Sequence, residues 1–419
     1  MVKKGYKQTE IGVIPENWEV NSIQSVVTSY RTGGNYKNSP EVTESPVIKM
    51  GNLSRGYFSF HKIEYVTRDV IPNPVDRLQY GDVLFNTRNT PELVGKTAVW
   101  RNELSCAYYN LNLLRFEFDP KRMEPFFFNS ILNTKEAIAE LKNIAKGTTS
   151  VAAIYPQDLM NVKIPIPPIS EQRRIAKAIT EMDDLIGLLE KQCSKKKSIK
   201  QGTMQELLTG KRRLPGFNGA WQVVKLEDIC SKITDGSHES PPESDIGYYM
   251  PSVKDMRSTG FDYSECKKIS YSDFKKLERN GCRPDVGDVL IAKDGSILKY
   301  AFVQEKAENI VILSSIAIVT PHSDRVDSYF LAQYFRQQNF VEQVITSYKS
   351  GTGVPRIVLK RFKQIVLFIP ESVAEQAAIA KILVDMDIEI TGLEKELAKY
   401  RQVKQGMMQQ LLTGKIRLV

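Results

Sequence analysis

The stretch that decides the fold is residues 171–214, EQRRIAKAITEMDDLIGLLEKQCSKKKSIKQGTMQELLTGKRRL, because the chain contains it twice. The second copy, residues 375–418, reads EQAAIAKILVDMDIEITGLEKELAKYRQVKQGMMQQLLTGKIRL. The two copies align without a gap at an offset of 204 residues, and 24 of the 44 positions are identical. The chain of 419 residues is therefore a tandem repeat of two units of about two hundred residues each.

Each copy predicts a long helix with one narrow apolar seam. Apolar residues recur at alternating steps of four and three, which is the period of a coiled coil rather than of a globular helix. Ser372 and Glu375 also fit a capping box at the second helix start. We expect the helix-pairing residues to be Ile175, Ile179, Met182, Ile186 and Leu189, and Ile379, Leu383, Met386, Ile390, Leu393 and Leu397.

About 38 helical residues would form a rod of roughly 57 Å. Two such rods in one chain most simply pack antiparallel, with Ile175 against Leu397 and Leu189 against Leu383 at the two ends of the contact. The alternative is that each helix dimerises with another molecule. We divide the chain into a first globular domain, a first long helix, a second globular domain and a second long helix, at residues 1–168, 169–210, 211–370 and 371–419.

Short apolar runs between turn signals predict the same α+β domain in both globular segments. Strands are expected at Ser45–Met50, Gly81–Phe85, Thr97–Trp100, Leu111–Phe118 and Val162–Ile166, and at Tyr249–Val253, Gly287–Ile291, Tyr300–Val303, Ile310–Val319 and Ile365–Ile369. One helix is expected in each segment, at Pro125–Leu141 and Ser328–Ile345, followed by a Gly–Thr loop. The polar residues between these landmarks differ between the units, as expected of two readers of different ligands on one scaffold.

Charge and composition limit the class of protein. The net charge of +9 suggests a polyanionic partner, although a merely basic surface would give the same value. The N-terminus has no apolar signal segment and no apolar run is long enough to cross a bilayer. The five cysteines form no CxxC pair and are expected to be reduced, so the expected compartment is the cytoplasm.

Catalytic motifs are incomplete in this sequence. Ser240–Pro241–Pro242 precedes Glu243 instead of the aromatic residue that an amino-methyltransferase loop requires. Thr90 stands where a phosphate-binding loop ending in Gly95–Lys96–Thr97 needs glycine. The three histidines are scattered, which argues against a zinc site. We therefore expect a binding protein with no catalytic residue, cofactor or metal.

The sequence opens with TEIGVIPENWEV, the long helices start with EQRRIAKAI and EQAAIAKIL, and both end in KQGxMQ(E/Q)LLTGK. With these segments, the whole chain resembles the specificity subunits of type I restriction–modification systems. GDVLFNTRNTPELVGK and GDVLIAKDGS are similar to a strand and loop of that family's target recognition domains. The chain lacks the short tandem repeat that lengthens the spacer in some members.

This resemblance implies two α+β target recognition domains in tandem, held apart by two long antiparallel coiled-coil helices. Each domain would read one half of a bipartite site in double-stranded DNA. Methyltransferase subunits, two per chain, would dock on the helices, and separate restriction/translocase subunits would complete the complex. The alternative is a coiled-coil adaptor that joins two proteins without reading DNA.

Polar and basic residues in the loops are the candidate DNA contacts, since such side chains neutralise phosphates and bond base edges. In the first domain they are Lys49, Asn52, Arg55, Tyr57, Arg88, Asn89, Lys146, Thr148 and Ser150. In the second they are Lys254, Arg257, Lys293, Ser296, Lys299, Lys349, Thr352 and Arg356. The run Lys195–Lys197 on the first helix either contacts DNA or an acidic partner, or forms a solvated face.

Overall fold

A computed structural model of the chain describes residues 3–148, 150–348 and 355–419. The chain forms two compact units. Unit 1 comprises Met1–Leu189 together with Glu396–Val419, and unit 2 comprises Glu190–Lys395. Unit 1 is thus built from segments at both ends of this sequence.

Unit 1 begins with short strands and ends in the first long helix. Its strands are β1 Tyr6–Thr9, β2 Gly12–Pro15, β3 Glu19–Ser22, β4 Val27–Thr32, β5 Asn38–Ser39, β6 Pro46–Ile48, β7 Glu64–Val66, β8 Val83–Asn86, β9 Arg88–Asn89, β10 Thr97–Val99, β11 Tyr108–Tyr109, β12 Leu113–Phe118, β13 Lys146–Gly147, β14 Ala152–Ala153 and β15 Lys163–Ile166. Its helices are α1 Pro125–Leu132, α2 Lys135–Asn143, α3 Pro156–Met160 and α4 Ile169–Leu207, the last of which continues into unit 2.

Unit 2 repeats this order with fewer strands among its described residues. Its strands are β16 Trp221–Lys225, β17 Cys230–Asp235, β18 Tyr248–Tyr249, β19 Met256–Arg257, β20 Gly260–Phe261, β21 Lys268–Ile269, β22 Val289–Ala292, β23 Ala301–Val303, β24 Ile316–Pro321 and β25 Val366–Pro370. Its helices are α5 Tyr271–Arg279, α6 Ser328–Tyr334, α7 Gln338–Tyr348, α8 Leu359–Lys363 and α9 Val373–Leu411, the last of which continues into unit 1.

The same antiparallel sheet lies at the centre of each globular part. Its strand order is β4-β12-β8-β10 in unit 1 and β17-β24-β22-β23 in unit 2. Strands β8 and β22 are buried along their whole length. Alternate side chains enter cores on opposite faces of the sheet. Val83 and Phe85 pack in the core that also holds Ile175 of α4, whereas Leu84 packs in a second core.

Several elements predicted from the sequence need correction in the globular parts. The helix expected at Pro125–Leu141 is two helices, because the Thr134 hydroxyl accepts a hydrogen bond from Ala137 N at 3.2 Å and caps the start of α2. The helix expected at Ser328–Ile345 is divided between α6 and α7 in the same way. The apolar run Ile310–Val319 contributes to a strand only from Ile316 onwards.

The long helices α4 and α9 each contain 39 residues. Among the described residues, no helix is long and apolar enough to cross a membrane. The seam residues predicted from the sequence are buried in the main, since Ile175, Ile379 and Leu383 are at most 1% exposed. Met182, Met386 and Leu393 are half-buried.

Within each unit, the segments of α4 and α9 run antiparallel, but the register predicted from the sequence is wrong. In unit 1, Lys404 Nζ lies 2.5 Å from Asp183 Oδ1, which places Ile175 opposite residue 412 rather than opposite Leu397. The displacement is 15 residues, or about 22 Å along a helix. The charges explain the difference, because the predicted register would have placed Asp183 opposite another acid, Glu389.

Unit 2 has the same displacement. Lys200 Nζ lies 2.5 Å from Asp387 Oδ1, and Met204 shares a core with Leu383. In the lysine run of α4, Lys196 pairs with Glu389 at 2.6 Å and Lys197 pairs with Glu394 at 2.7 Å. Two of these three lysines therefore have partners on α9.

The first residue of the repeated stretch fastens the start of each long helix. In unit 1, the Glu171 carboxylate receives Arg417 Nε at 2.6 Å and Nη2 at 2.8 Å, and also the Trp18 indole N–H at 3.0 Å. Burial opposes ionisation, but Arg417 and Trp18 outweigh it and hold the pKa of Glu171 below its ordinary value.

Unit 2 repeats this clamp with Glu375 and Arg213, at 2.6 and 2.7 Å. The Glu375 carboxylate therefore binds Arg213, while its backbone N–H donates to Ser372 Oγ at 3.3 Å, so the capping box predicted there is only half formed. The Trp221 indole N–H is buried and has no hydrogen-bond partner among the residues that the structure describes. The clamp in unit 2 thus lacks the third contact that Trp18 provides in unit 1.

Candidate nucleic-acid interface

Five of the residues predicted to contact DNA come together at one small sheet in unit 1. Its strand order is β13-β14-β9, so Ala152–Ala153 lies between Lys146–Gly147 and Arg88–Asn89. Arg88 is paired with Ala153, and Ala153 with Lys146. Directly paired residues present their side chains on the same face of a sheet. Arg88 and Lys146, both exposed, therefore form a basic row about 10 Å across.

The contacts around this row leave Arg88 available to a ligand. Lys146 Nζ lies 2.7 Å from Asp158 and 5.9 Å from the centre of the Tyr155 ring. Exposed Thr148 and Ser150 bring their hydroxyls to 3.3 Å from each other. Arg88 has no carboxylate within ion-pair distance in the described part of the chain. A basic row with neighbouring hydroxyls is suited to phosphate and to base edges.

The other predicted residues of unit 1 lie on the loop between β6 and β7. Lys49 Nζ is bound by Glu64 at 2.9 Å and Asn38 at 3.1 Å. Asn52 is only 4% exposed, and its amide bonds the backbone at residues 49, 59 and 62. Asn52 therefore holds the loop together and is unavailable to a ligand. Tyr57, by contrast, is 62% exposed.

Arg55 and Lys96 form a basic pair that sequence analysis recognised only in part. The Arg55 guanidinium reaches Gly95 O at 3.4 Å, and Lys96 Nζ donates to Leu53 O at 2.9 Å. Burial and the nearby Arg55 lower the pKa of Lys96. Neither cation has an acidic partner among the described residues. The sequence pattern singles out Arg55 but not Lys96, because the Lys96–Leu53 contact joins segments 43 residues apart.

Unit 2 brings its corresponding segments together. The residues after β22 meet those before α8, with Gly295 N donating to Pro355 O at 2.8 Å and a bridge between Asp294 and Arg356. Arg356 and Lys299 are exposed, and Ser296 is half-buried. Lys349 and Thr352 lie outside the described residues.

The charge at this position differs between the units. Lys293 is 4% exposed, and its Nζ lies 3.2 Å from Asp235 and 3.3 Å from Asp294. Lys293 is therefore occupied internally by two carboxylates, and Asp294 follows β22 at the place where Arg88 follows β8.

The remaining candidates of unit 2 lie on the loop around β19 and β20. Lys254 is exposed, and Arg257 is held by Asp262 at 2.8 Å. Within the described ranges, no group of three or more His, Cys, Asp or Glu residues could hold a metal ion.

Comparison with known proteins identifies the repeat. Residues 15–200 and 218–404 each match the family described as "Type I restriction modification DNA specificity domain". A putative type I restriction enzyme MjaX specificity subunit of Methanocaldococcus jannaschii is 28% identical over 435 residues, covering 99% of this chain and 97% of the relative. The type I restriction enzyme EcoKI specificity subunit of Escherichia coli is 20% identical over 432 residues, covering 97% and 90%.

The fold is also similar to that of a solved structure. The S subunit of a type I restriction–modification system from M. genitalium has a TM-score of 0.62 at 14% identity, covering 94% of this chain and 96% of that chain. This similarity concerns the fold, while the sequence matches concern the family. The two matched segments cover most of the chain, which therefore belongs to the type I restriction–modification DNA specificity family and carries two of its domains in tandem.

Proposed function

We propose that this chain is the sequence-specific DNA-binding subunit of a type I restriction–modification complex. Each globular part would read one half of an asymmetric bipartite site, and the paired helices would act as spacer and as docking surface for two methyltransferase subunits. Catalysis would belong to those subunits and to separate restriction/translocase subunits. The chain would act in the cytoplasm, where the DNA lies.

One observation carries this proposal. The same scaffold position in both units gathers polar loop residues, yet the residues differ in charge and type. In unit 1, Arg88 and Lys146 lie in one exposed row, whereas in unit 2 Asp235 and Asp294 surround Lys293. Matched positions with different donor and acceptor groups favour two different half-sites over a palindrome.

A first experiment identifies the site. Sequencing of methylated positions in host DNA, with and without this gene, should reveal one motif with two unlike halves and an unread gap. A palindromic motif, or no motif dependent on the gene, would contradict the proposal.

A second experiment assigns the halves to the units. The Arg88→Gln complex should lose affinity for DNA and relax base preference in one half-site only, by roughly 5- to 150-fold for one bidentate contact. Lys299→Gln should affect the other half only. Lys121→Gln, an exposed lysine in the turn between β12 and α1, is the control and should leave DNA binding unchanged.

The salt dependence of binding separates the proposal from a protein adaptor. The affinity of a DNA reader should fall linearly in log salt, and Arg88→Gln should reduce the slope by about one if Arg88 contacts a phosphate. An adaptor would bind no duplex at any salt concentration.

A further inference from the structure

A buried carboxylate in unit 2 joins three segments at one point. Asp387 of α9 receives Lys200 of α4 at 2.5 Å, and Arg336 after α6 at 2.8 and 3.2 Å. The Gln333 amide adds a hydrogen bond at 2.7 Å. The side chains of Lys200 and Asp387 are 7% and 10% exposed. We call Asp387, Lys200 and Arg336 the unit 2 node.

Unit 1 has a corresponding node, formed by Asp183, Lys404 and Arg101. Lys404 of α9 reaches Asp183 of α4 at 2.5 Å. Arg101, which follows β10 in the globular part, reaches Asp183 at 3.3 Å and Asp184 at 3.1 Å. Its guanidinium also lies 5.6 Å from the centre of the Phe126 ring. Each node therefore connects both long helices to the globular part of its own unit.

Only some of the node residues are equivalent across the repeat. Asp183 and Lys200 have their repeat equivalents in Asp387 and Lys404, at the offset of 204 residues. The arginines are not equivalents, because Glu305 stands at the repeat position of Arg101. The two globular parts have diverged, yet each places an arginine, from a different structural element, on the repeat-equivalent helix carboxylate.

Stability alone is a weak reason for such a node. Apolar residues of similar volume are often as stabilising as a buried ion pair, because burial removes the charges from water. Polar groups on a helix seam are better known for fixing register and orientation. Arg336 donates two hydrogen bonds to one carboxylate, which restricts the orientation of the arginine relative to helix α9 more tightly than an apolar contact would.

We propose that the two nodes are positioning sites that fix the orientation of each DNA-reading part on the helix pair. They thereby set how many base pairs between half-sites the complex accepts. One added base pair moves a half-site by ~3.4 Å and turns it by about 35°. An orientation held at a node resists that turn. This inference rests on the proposed function.

The test uses the complex assembled with its methyltransferase subunits and duplexes with the native gap or one base pair more or less. The measurement is the ratio of methylation rates on native and altered gaps. Arg336→Met and Arg101→Met should each reduce this ratio roughly tenfold, the equivalent of one charge-assisted hydrogen bond. Arg336→Lys, which retains the charge, should recover part of the ratio.

Matched controls are available inside each globular part. Arg283→Met removes a 2.5 Å ion pair with Glu278, and Arg122→Met removes a 2.9 Å ion pair with Glu19, without touching either node. Both controls should keep the wild-type ratio. A purely structural role of the nodes would change melting temperature but leave the ratio unchanged well below melting.

An unchanged ratio in Arg336→Met and Arg101→Met complexes that fold and assemble would overturn the inference. If Arg336→Met does not assemble, Arg101→Met decides, since the unit 1 node is more exposed and tolerates substitution better. Insensitivity of the wild-type complex to base changes in both half-sites would instead overturn the proposed function.

Discussion

Removal of Arg213 should destabilise the protein more than removal of its repeat equivalent, Arg417. Glu375 has a side chain 1% exposed and loses both of its side-chain hydrogen bonds in Arg213→Met. Loss of one partner of a buried ion pair costs ~3–5 kcal/mol. In Arg417→Met, Glu171 retains the Trp18 indole N–H at 3.0 Å. That remaining charged hydrogen bond contributes ~1.5–3 kcal/mol, so the second variant should lose about half as much.

Scanning calorimetry can measure this difference. A domain of about two hundred residues shifts its melting temperature by roughly 2–4 °C per kcal/mol. The transition that includes unit 2 should therefore fall by roughly 6–20 °C in Arg213→Met. The double variant Arg213→Met, Glu375→Leu leaves no unpaired charge and should recover most of the loss. An Arg417→Met shift equal to or larger than the Arg213→Met shift would refute this reasoning.

Three further predictions concern the helices and the globular parts. Burial, with Arg336 nearby, lowers the pKa of Lys200 to about 8 despite Asp387. Above that pH the unfolded chain binds more protons than the folded one, so calorimetry should show the wild type gaining stability relative to Lys200→Met as the pH rises from about 8 to 10; parallel curves of stability against pH would contradict this. One heptad inserted after Leu189 and another after Lys395 should keep Asp183 with Lys404 and Lys200 with Asp387, because each pair lies within one unit. The insertions add ~10.5 Å, so methylation mapping should find a gap longer by about three base pairs with both half-sites unchanged; an unchanged gap would exclude the helices as spacer. Exchange of residues 15–165 for those of a relative should change one half-site only in the same mapping, and a change in both halves would disprove independent readers.

The sequence predicted the long helices well because apolar periodicity is a local property. It could not predict their register, since a seam with a seven-residue repeat looks alike after a shift of about two heptads. The charges on the seam decide between these registers. The acids Asp183 and Asp387 and the lysines Lys200 and Lys404, equivalent across the repeat, were a readable signal. One antiparallel register pairs Asp183 with Lys404 and Lys200 with Asp387 at the same time.

The roles of the loop residues could be predicted from the sequence only in part. Arg88 and Lys146 were predicted as loop residues, whereas the structure places them, exposed, on strands β9 and β13, and strand pairing puts them in one row. The same reasoning could not distinguish a polar residue that is available to bind a ligand from one whose polar groups are already paired within the fold. Asn52 and Lys293 belong to the second kind, since Asn52 bonds backbone groups of its own loop and Lys293 pairs with Asp235, which is distant in sequence, and with Asp294.

The composition of unit 1 from two distant segments has a consequence for synthesis on the ribosome. Residues 396–419, which supply Leu411, Leu412 and Arg417 to this unit, are translated only after all of unit 2. At a rate of about 5–20 residues per second, Glu171 and the apolar face at Ile175 would wait roughly 12–50 s for their partners. Unit 1 would therefore be completed last although it begins first, and a nascent chain that stops early would expose an apolar helix face to chaperones and proteases.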